Sequence, residues 1–76
     1  MVHAFVLVKT GPGASPDVLS ALDGIDAVVD AHIVAGQFDL ILEVDAVAVG
    51  DILTSVTDGI QHLDGVLDTR TYIAME

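Results

Sequence analysis

The apolar residues of this chain follow two different periods, and the order of those periods constrains its fold more than any other feature. Four segments have the alternation or the continuous apolar character of strands: residues 3–9, 27–35, 40–45 and 66–75. Two segments have apolar residues at helical spacing: residues 15–24 and 47–63. This order predicts a ferredoxin-like α+β fold, βαββαβ, in which a four-stranded antiparallel sheet has two helices on one face.

Short local signals mark where the predicted helices begin and end. Ser15, Pro16 and Asp17 predict a helix start, with Ser as the N-cap, Pro at the first helical position and an acid in the first turn. Gly24 ends the first helix, and a glycine also follows the second. Because no linker, repeat or low-complexity segment interrupts the order, we expect residues 1–76 to form a single domain.

The first predicted strand is apolar on both of its faces. Phe5 and Leu7 share one face. The alternating residues Ala4, Val6 and Val8 share the other. Two helices cover only one face of a sheet, so the other face stays open. A chain this short buries only roughly 60% of its unfolded surface, and no cysteine is present to form a stabilising disulfide. We therefore expect the uncovered apolar face to be an association surface and the protein to be at least a dimer.

The charge balance is strongly acidic. Twelve Asp and Glu residues stand against two Lys and Arg residues, and the formal net charge is -10. Nucleic acids and anionic membrane surfaces are bound by several Lys or Arg side chains, so we expect neither as a direct partner. Such a surface suits a salt-rich cytoplasm, because salt screens charge repulsion. We expect either a halophilic source or an ordinary acidic protein.

No segment has the features of a membrane anchor or a secretory leader. The longest uncharged runs have eight residues, whereas a transmembrane helix needs about 20 apolar residues. The N-terminal apolar run follows no basic region, as a signal peptide would require. We therefore expect a cytoplasmic globular domain.

The connection between the second and third predicted strands has the composition of a ligand-binding site. Gly36, Gln37, Phe38 and Asp39 place a carboxylate and free backbone amides at a predicted hairpin tip. The carboxylate could bind the ammonium group of an amino acid, and the amides could bind its carboxylate. Turn chemistry alone is the alternative explanation, with Gly adopting a positive φ and Asp bonding within the turn.

Two threonines in the last predicted strand form a second candidate. Thr69 and Thr71 are two residues apart, so their hydroxyls lie on one strand face and could hold a carboxylate or an amide. The high β-propensity of threonine explains the same pattern without a ligand.

The remaining polar residues form no recognisable metal or catalytic motif. The three histidines lack the convergent spacing of a metal site: His3, His32 and His62. Asp39, Glu43 and Asp45 share one side of the third strand, where we expect a solvated acidic face rather than an acid–base pair. No Ser or Lys has an evident activating base. We therefore predict no metal, no cofactor and no enzymatic activity.

Five blocks of the sequence, in this order and spacing, resemble the ligand-binding domain of the Lrp/AsnC transcription regulators. These blocks are residues 4–10, 30–36, 38–40, 63–66 and 69–71. The resemblance implies a ferredoxin-like fold, homodimers formed by packing open sheet faces, and higher rings built from those dimers. It also implies an amino acid effector that binds between dimers, near Gly36, Phe38 and Asp39 of the hairpin and Thr69 and Thr71 of the last strand.

Full-length members of that family carry an N-terminal helix-turn-helix, whereas this sequence begins at the first sensing strand. The resemblance therefore implies a sensing domain without a helix-turn-helix. Such a domain would modulate transcription through partners, such as full-length Lrp/AsnC regulators, rather than by binding DNA. Two alternatives remain open: an ACT-like regulatory module, and a small dimeric αβ-barrel enzyme with a large pocket between its helices and its sheet.

Overall fold

The computed structural model describes residues 1–75 and confirms the predicted order of elements. These elements are β1 (Val2–Thr10), α1 (Ser15–Leu22), β2 (Val28–Ile33), β3 (Leu40–Ala46), α2 (Val49–Thr54) and β4 (Val66–Ile73). The strands form one antiparallel sheet in the order β2-β3-β1-β4, so β3 and β1 are central. The helices pack on one face of this sheet, and the ferredoxin-like α+β fold is confirmed.

The sheet face that the helices cover, the helix face, forms the hydrophobic core. Alternate residues of β1 and β3 point into this core, as their alternation predicted. The strand register places Val6 between Leu42 and Thr71. The buried apolar residues are Ala4, Val6, Val8, Val18, Leu22, Leu40, Leu42, Val44, Ile52, Val56 and Ile60. Their burial stabilises the domain, because each fully buried Val, Leu or Ile side chain contributes about 1.5–3 kcal/mol.

The opposite side of the sheet, the open face, has no helix over it within residues 1–75. Its centre is apolar, because Leu7 pairs with Ile41 and Phe5 pairs with Tyr72. The exposed fraction is 36% for Phe5 and 59% for Tyr72. Both faces of β1 are therefore apolar, as the sequence predicted, and only one of them is covered within a protomer.

The second helix is shorter and less regular than the predicted helix over residues 47–63. Regular α-helix ends at Thr54, and two irregular turns follow it: the π-helical Ser55–Gly59 and the 3₁₀ Ile60–His62. The predicted start was also wrong, because Ala48 has an extended backbone with φ -136° and ψ 158°. Helical spacing still identified the side that is buried: Ile52, Val56 and Ile60. Within residues 1–75, no helix has the length and apolar character that crossing a membrane would require.

The predicted N-cap of the first helix is wrong by one residue. Ala14 occupies the cap position with helical dihedral angles, and Ser15 is the first helical residue. The Ser15 hydroxyl does not cap the helix, because its Oγ forms a hydrogen bond with Oγ1 of Thr10 at 2.8 Å. Pro16 and Asp17 lie in the first turn, as predicted.

The two edge strands, β2 and β4, are shorter than their predicted ranges of 27–35 and 66–75. The pairing of β2 with β3 is irregular between Val28 and Asp30. Irregularities and charged residues commonly interrupt edge strands, because they limit pairing with other chains. The sequence pattern could not show this irregularity, since Asp30 and His32 alternate with apolar residues as in a regular strand.

Gly65 brings the start of β4 close to α1. Its φ is 93°, a left-handed conformation that residues with a Cβ atom rarely adopt. A Cβ atom at this position would lie 2.9 Å from Cβ of Ala14 and 3.2 Å from Cγ2 of Val18. The Gly65 carbonyl oxygen also accepts a hydrogen bond from the Gly11 N–H at 2.9 Å. The glycine that ends the second helical segment therefore also permits close packing against the first helix.

Candidate ligand-binding site

The connection between β2 and β3 is a bend over residues 34–39 that is held at two points. At its base, the Val34 N–H donates a hydrogen bond to the Asp39 carbonyl oxygen at 2.8 Å. Near its tip, Nζ of Lys9 donates a hydrogen bond to the Gln37 carbonyl oxygen at 3.2 Å. The sequence predicted the connection but not the lysine contact, which depends on the strand register.

Gly36 does not adopt the positive φ that would explain a glycine in this turn. Within residues 1–75, the glycines with positive φ are Gly13 and Gly65, and Gly36 is not one of them. A Cβ atom at Gly36 would have one neighbour within 4 Å, the carbonyl oxygen of Phe38 at 4.0 Å. The positive-φ explanation for Gly36 is therefore wrong, and the glycine leaves the backbone of the bend accessible.

Asp39 connects the bend to the end of β1 through both its backbone and its side chain. Its N–H donates a hydrogen bond to the Val8 carbonyl oxygen at 2.9 Å. Its carboxylate oxygen Oδ2 accepts a hydrogen bond from the Thr10 N–H at 2.8 Å. The residue is half-buried. The carboxylate is thus held in a fixed place by a residue 29 positions away in sequence.

The two candidate threonines lie on the helix face of β4. The register pairs Thr69 with Val8, and Val8 with Leu40 on the other side. Thr71 lies two residues further along the same face. Oγ1 of Thr69 also accepts a hydrogen bond from Nε2 of Gln61 at 2.9 Å, a contact that the sequence did not predict.

The bend and the threonines do not form one site within a single protomer. Leu40, which follows Asp39, is separated from Thr69 by the whole of β1. Two interstrand spacings amount to roughly 9–10 Å. The structure therefore places Gly36, Phe38 and Asp39 together at one end of the sheet, with Thr69 in the same row but two strands away.

Three grooves at the edges of the molecule are places where a small molecule could contact one protomer. The groove beside β4 has a volume of about 260 Å³ and is lined by Gln61, Val66, Leu67, Asp68 and Thr69. The groove between α1 and β2 has a volume of about 530 Å³ and includes Ser20, Asp23 and Asp30 in its lining. The groove between β2 and α2 has a volume of about 600 Å³ and includes Val29 and Ser55 in its lining. None of the three linings includes the bend.

A compact group of charged residues lies on the open face, away from the bend. Nδ1 of His3 is hydrogen-bonded to Oδ1 of Asp45, its register partner on β3. Nε2 of the same ring lies 3.6 Å from Oε1 of Glu43. The hydrogen bond with Asp45 is the main cause that raises the pKa of His3 above its ordinary value of 6.5, and Glu43 adds to it while desolvation opposes it.

The other open-face histidine has one carboxylate partner. Nε2 of His32 lies 3.1 Å from Oδ2 of Asp30, two residues away on β2. Within residues 1–75, no group of three or more His, Cys, Asp or Glu side chains is arranged to hold a metal ion.

Solved structures share this fold over the whole chain. A protein from Thermus thermophilus is 30% identical, with a TM-score of 0.94, and the match covers 100% of this chain and 95% of that one. A hypothetical protein from Pyrococcus horikoshii is 32% identical, with a TM-score of 0.90, and the match covers 100% and 92%. Escherichia coli AsnC, at 21% identity and a TM-score of 0.92, shares the fold over 99% of this chain and 51% of its own.

Curated relatives are leucine-responsive regulatory proteins. That of Haemophilus influenzae is 29% identical over 76 residues, which cover 100% of this chain and 46% of the relative. That of Klebsiella pneumoniae is 33% identical, and the match covers 95% of this chain and 46% of the relative. The chain thus spans about half the length of these relatives.

The sequence profile of the Lrp/AsnC ligand binding domain matches residues 3–76. The match includes the bend, the threonines of β4 and all four strands. The chain therefore belongs to the Lrp/AsnC ligand-binding domain family, whose members are regulatory, ligand-sensing domains.

Proposed function

We propose that this chain binds an amino acid effector and assembles as a homodimer that forms higher oligomers. In this proposal it modulates transcription through partner proteins and has a regulatory rather than a catalytic role. The family and the leucine-responsive relatives support this class of function. The proposal is argued from three structural features: the carboxylate in the bend, the threonine hydroxyls of β4 and the uncovered open face.

The fixed carboxylate of Asp39 is the observation that carries the sensing proposal. Its Oδ2 is engaged by the Thr10 N–H, so we assign Oδ1 to the ammonium group of the effector. A half-buried carboxylate that is already oriented loses little freedom when it binds, and this favours affinity. A hydrogen bond to a charged group of this kind is worth about 1.5–3 kcal/mol.

We assign the remaining contacts to a neighbouring protomer. Val8 of β1 lies between the bend and Thr69 and is completely buried, so no small molecule can bridge Asp39 and Thr69 within one protomer. In the assembled site, Gly36, Phe38 and Asp39 of one protomer would face Thr69 and Thr71 of another. The backbone amides and the threonine hydroxyls would then bind the effector carboxylate.

The open face supplies the dimer contact in this proposal. Its apolar centre is flanked by Asp30 and Glu43 on β2 and β3, and on β1 and β4 by Lys9 and Arg70, with Asp68 lying 3.9 Å from Arg70. A second copy related by a two-fold axis along the strands would place β4 of one protomer over β2 of the other, with Arg70 one row along the strands from Asp30 and Glu43. The apolar centre therefore favours a second copy of this chain as the occupant of this face, and Arg70 offsets part of the surplus negative charge.

We propose that transcription is affected through partner regulators of the same family. Residues 1–76 carry twelve acidic and two basic side chains, so DNA phosphates would be repelled. A full-length regulator with the same sensing fold could exchange into the oligomer through the same interfaces. A mobility-shift assay at moderate salt is expected to show no DNA binding by this chain, and saturable binding would contradict the proposal.

Calorimetry with each of the twenty amino acids tests the sensing proposal. Leucine is a natural first probe because the curated relatives are named for their response to it. Methionine is a second, because the Neisseria meningitidis regulator of this fold was solved as an L-Met complex. Saturable binding of one or a few amino acids supports the proposal, and binding of none overturns it.

Sedimentation velocity at micromolar concentration tests the assembly proposal separately. Dimers or larger species are expected, because the open face is apolar and uncovered within the protomer. A monomer across this concentration range would overturn the assembly proposal.

A further inference from the structure

The imidazole of His3 lies between two carboxylates of β3. Nδ1 is hydrogen-bonded to Asp45 and Nε2 faces Glu43 at 3.6 Å. About one third of each side chain is exposed, namely 37% for His3, 39% for Glu43 and 34% for Asp45. The ring also packs edge-on against Phe5, with 5.1 Å between the ring centroids. Nδ1 therefore has a hydrogen-bond acceptor, Nε2 faces a second carboxylate just beyond hydrogen-bond distance, and the aromatic contact holds the ring on the open face.

The protonation state of this ring decides how many of the two carboxylates can be satisfied. A neutral imidazole has a single N–H, so it can donate to only one carboxylate. The imidazolium has two N–H groups and can donate to both. Loss of the proton therefore leaves a carboxylate without a donor from the ring, and burying such a group in an interface is unfavourable.

The charges of the whole open face add to this effect. Its titratable and charged groups are Asp30 and His32 on β2, Glu43 and Asp45 on β3, His3 and Lys9 on β1, Asp68, Arg70 and Tyr72 on β4, and the Met1 ammonium next to β1. The open face thus carries four carboxylates and two side chains that are permanently positively charged. These carboxylates and cations leave two surplus negative charges per protomer, and protonation of His3 reduces the surplus to one.

We propose that His3, Glu43 and Asp45 form a proton-sensitive control of assembly, in which protonation of His3 strengthens self-association through the open face. This proposal rests on the dimer contact assigned above. A proton on His3 satisfies both carboxylates and removes a repulsive charge from each of the two facing surfaces. Loss of the proton leaves one carboxylate without a donor and restores the negative charge, so it weakens self-association.

The direction of the pH dependence follows from the raised pKa of His3. The imidazolium predominates below the ordinary value of 6.5 and is lost as the pH rises through the higher value in the folded protomer. In the proposal, enclosing the two carboxylates in the interface raises the His3 pKa further, so association takes up protons. Self-association is therefore strongest at and below pH 6.5 and weakens above it.

The test is the dimer dissociation constant of the full chain, measured by sedimentation at pH 6.0 and pH 8.5 in the same KCl concentration. We expect the Kd to be at least about tenfold higher at pH 8.5, since each protomer of the dimer binds one proton at His3. His3→Gln is expected to remove most of this difference. His62→Gln is the matched control, because His62 is exposed beyond the second helix, and it should keep the difference.

Glu43→Gln provides a second variant that leaves the imidazole intact. It removes the carboxylate that depends on the second N–H, so it should also reduce the pH dependence. A Kd that is the same at both pH values in the wild type overturns the proposal, as does a full pH dependence in His3→Gln. A monomer at pH 6.0 overturns the dimer contact itself, so the two failures are distinguishable.

Discussion

The two faces of the sheet are built from the same kinds of apolar residue but have different surroundings. Val6 on the helix face is completely buried, whereas its neighbour Phe5 on the open face is 36% exposed. On the helix face, the side chains that pack over β1 from both helices are apolar. On the open face, charged residues flank the apolar centre.

This difference indicates a division of roles along a single strand. Residues on the helix face fold the protomer, because they bury apolar surface without any partner. Residues on the open face add little to the protomer and are available for association. Substitutions on the two faces should therefore affect two different measurements, protomer stability and self-association.

The largest effect is expected from a truncation on the helix face. Leu42→Ala removes a completely buried side chain from the centre of the sheet and should lower the free energy of unfolding by about 2–5 kcal/mol. Denaturant titration measures this loss. Leu67→Ala is a matched control, since Leu67 is 65% exposed, and equal losses for the two variants would contradict the assignment of the core.

A smaller effect, on association alone, is expected from the open face. Tyr72→Ser removes an aromatic side chain beside Phe5 and should raise the Kd of self-association at least about tenfold, as truncation of buried interface aromatics commonly does. Its protomer should remain folded. Leu53→Ser removes a half-exposed apolar side chain from α2 and serves as the control; stronger weakening by Leu53→Ser would place the interface on the helices instead.

The smallest effect is a shift of the melting temperature with salt. The net charge of -10 disfavours the compact state through repulsion, and raising KCl from 0.1 M to 1 M shortens the Debye length from about 10 Å to about 3 Å. The Tm should therefore increase, by roughly 4–8 °C for each 1 kcal/mol gained. A flat or falling Tm would contradict both the repulsion argument and the expectation of a halophilic source.

The sequence predicted the features that depend on local periodicity. Alternation in β1 and β3 identified which residues share a face, and helical spacing identified the buried side of the second helix even where its turns are irregular. Glycine and proline signals located the turns. These features were predictable because each is determined by residues close together in the chain.

The contacts that organise the candidate site were not predictable, because they join residues far apart in sequence. Thr10 binds the Asp39 carboxylate across 29 positions, and His3 reaches Asp45 across 42. The same Thr10 binds the hydroxyl of Ser15, which made the predicted N-cap wrong. The contacts of Asp39 and His3 require the register of β1 with β3, which composition does not specify.

The most direct test of the central claim, that the bend binds an amino acid through Asp39, is calorimetry on Asp39→Asn with the amino acid that the wild type binds. The amide keeps the shape and an oxygen that can accept the Thr10 N–H, but it removes the charge. Affinity should fall at least about tenfold, with the oligomer unchanged by sedimentation. Asp58→Asn makes the same chemical change at an exposed position of the second helical segment and should leave affinity unaltered. Equal affinity in Asp39→Asn and the wild type would contradict the account.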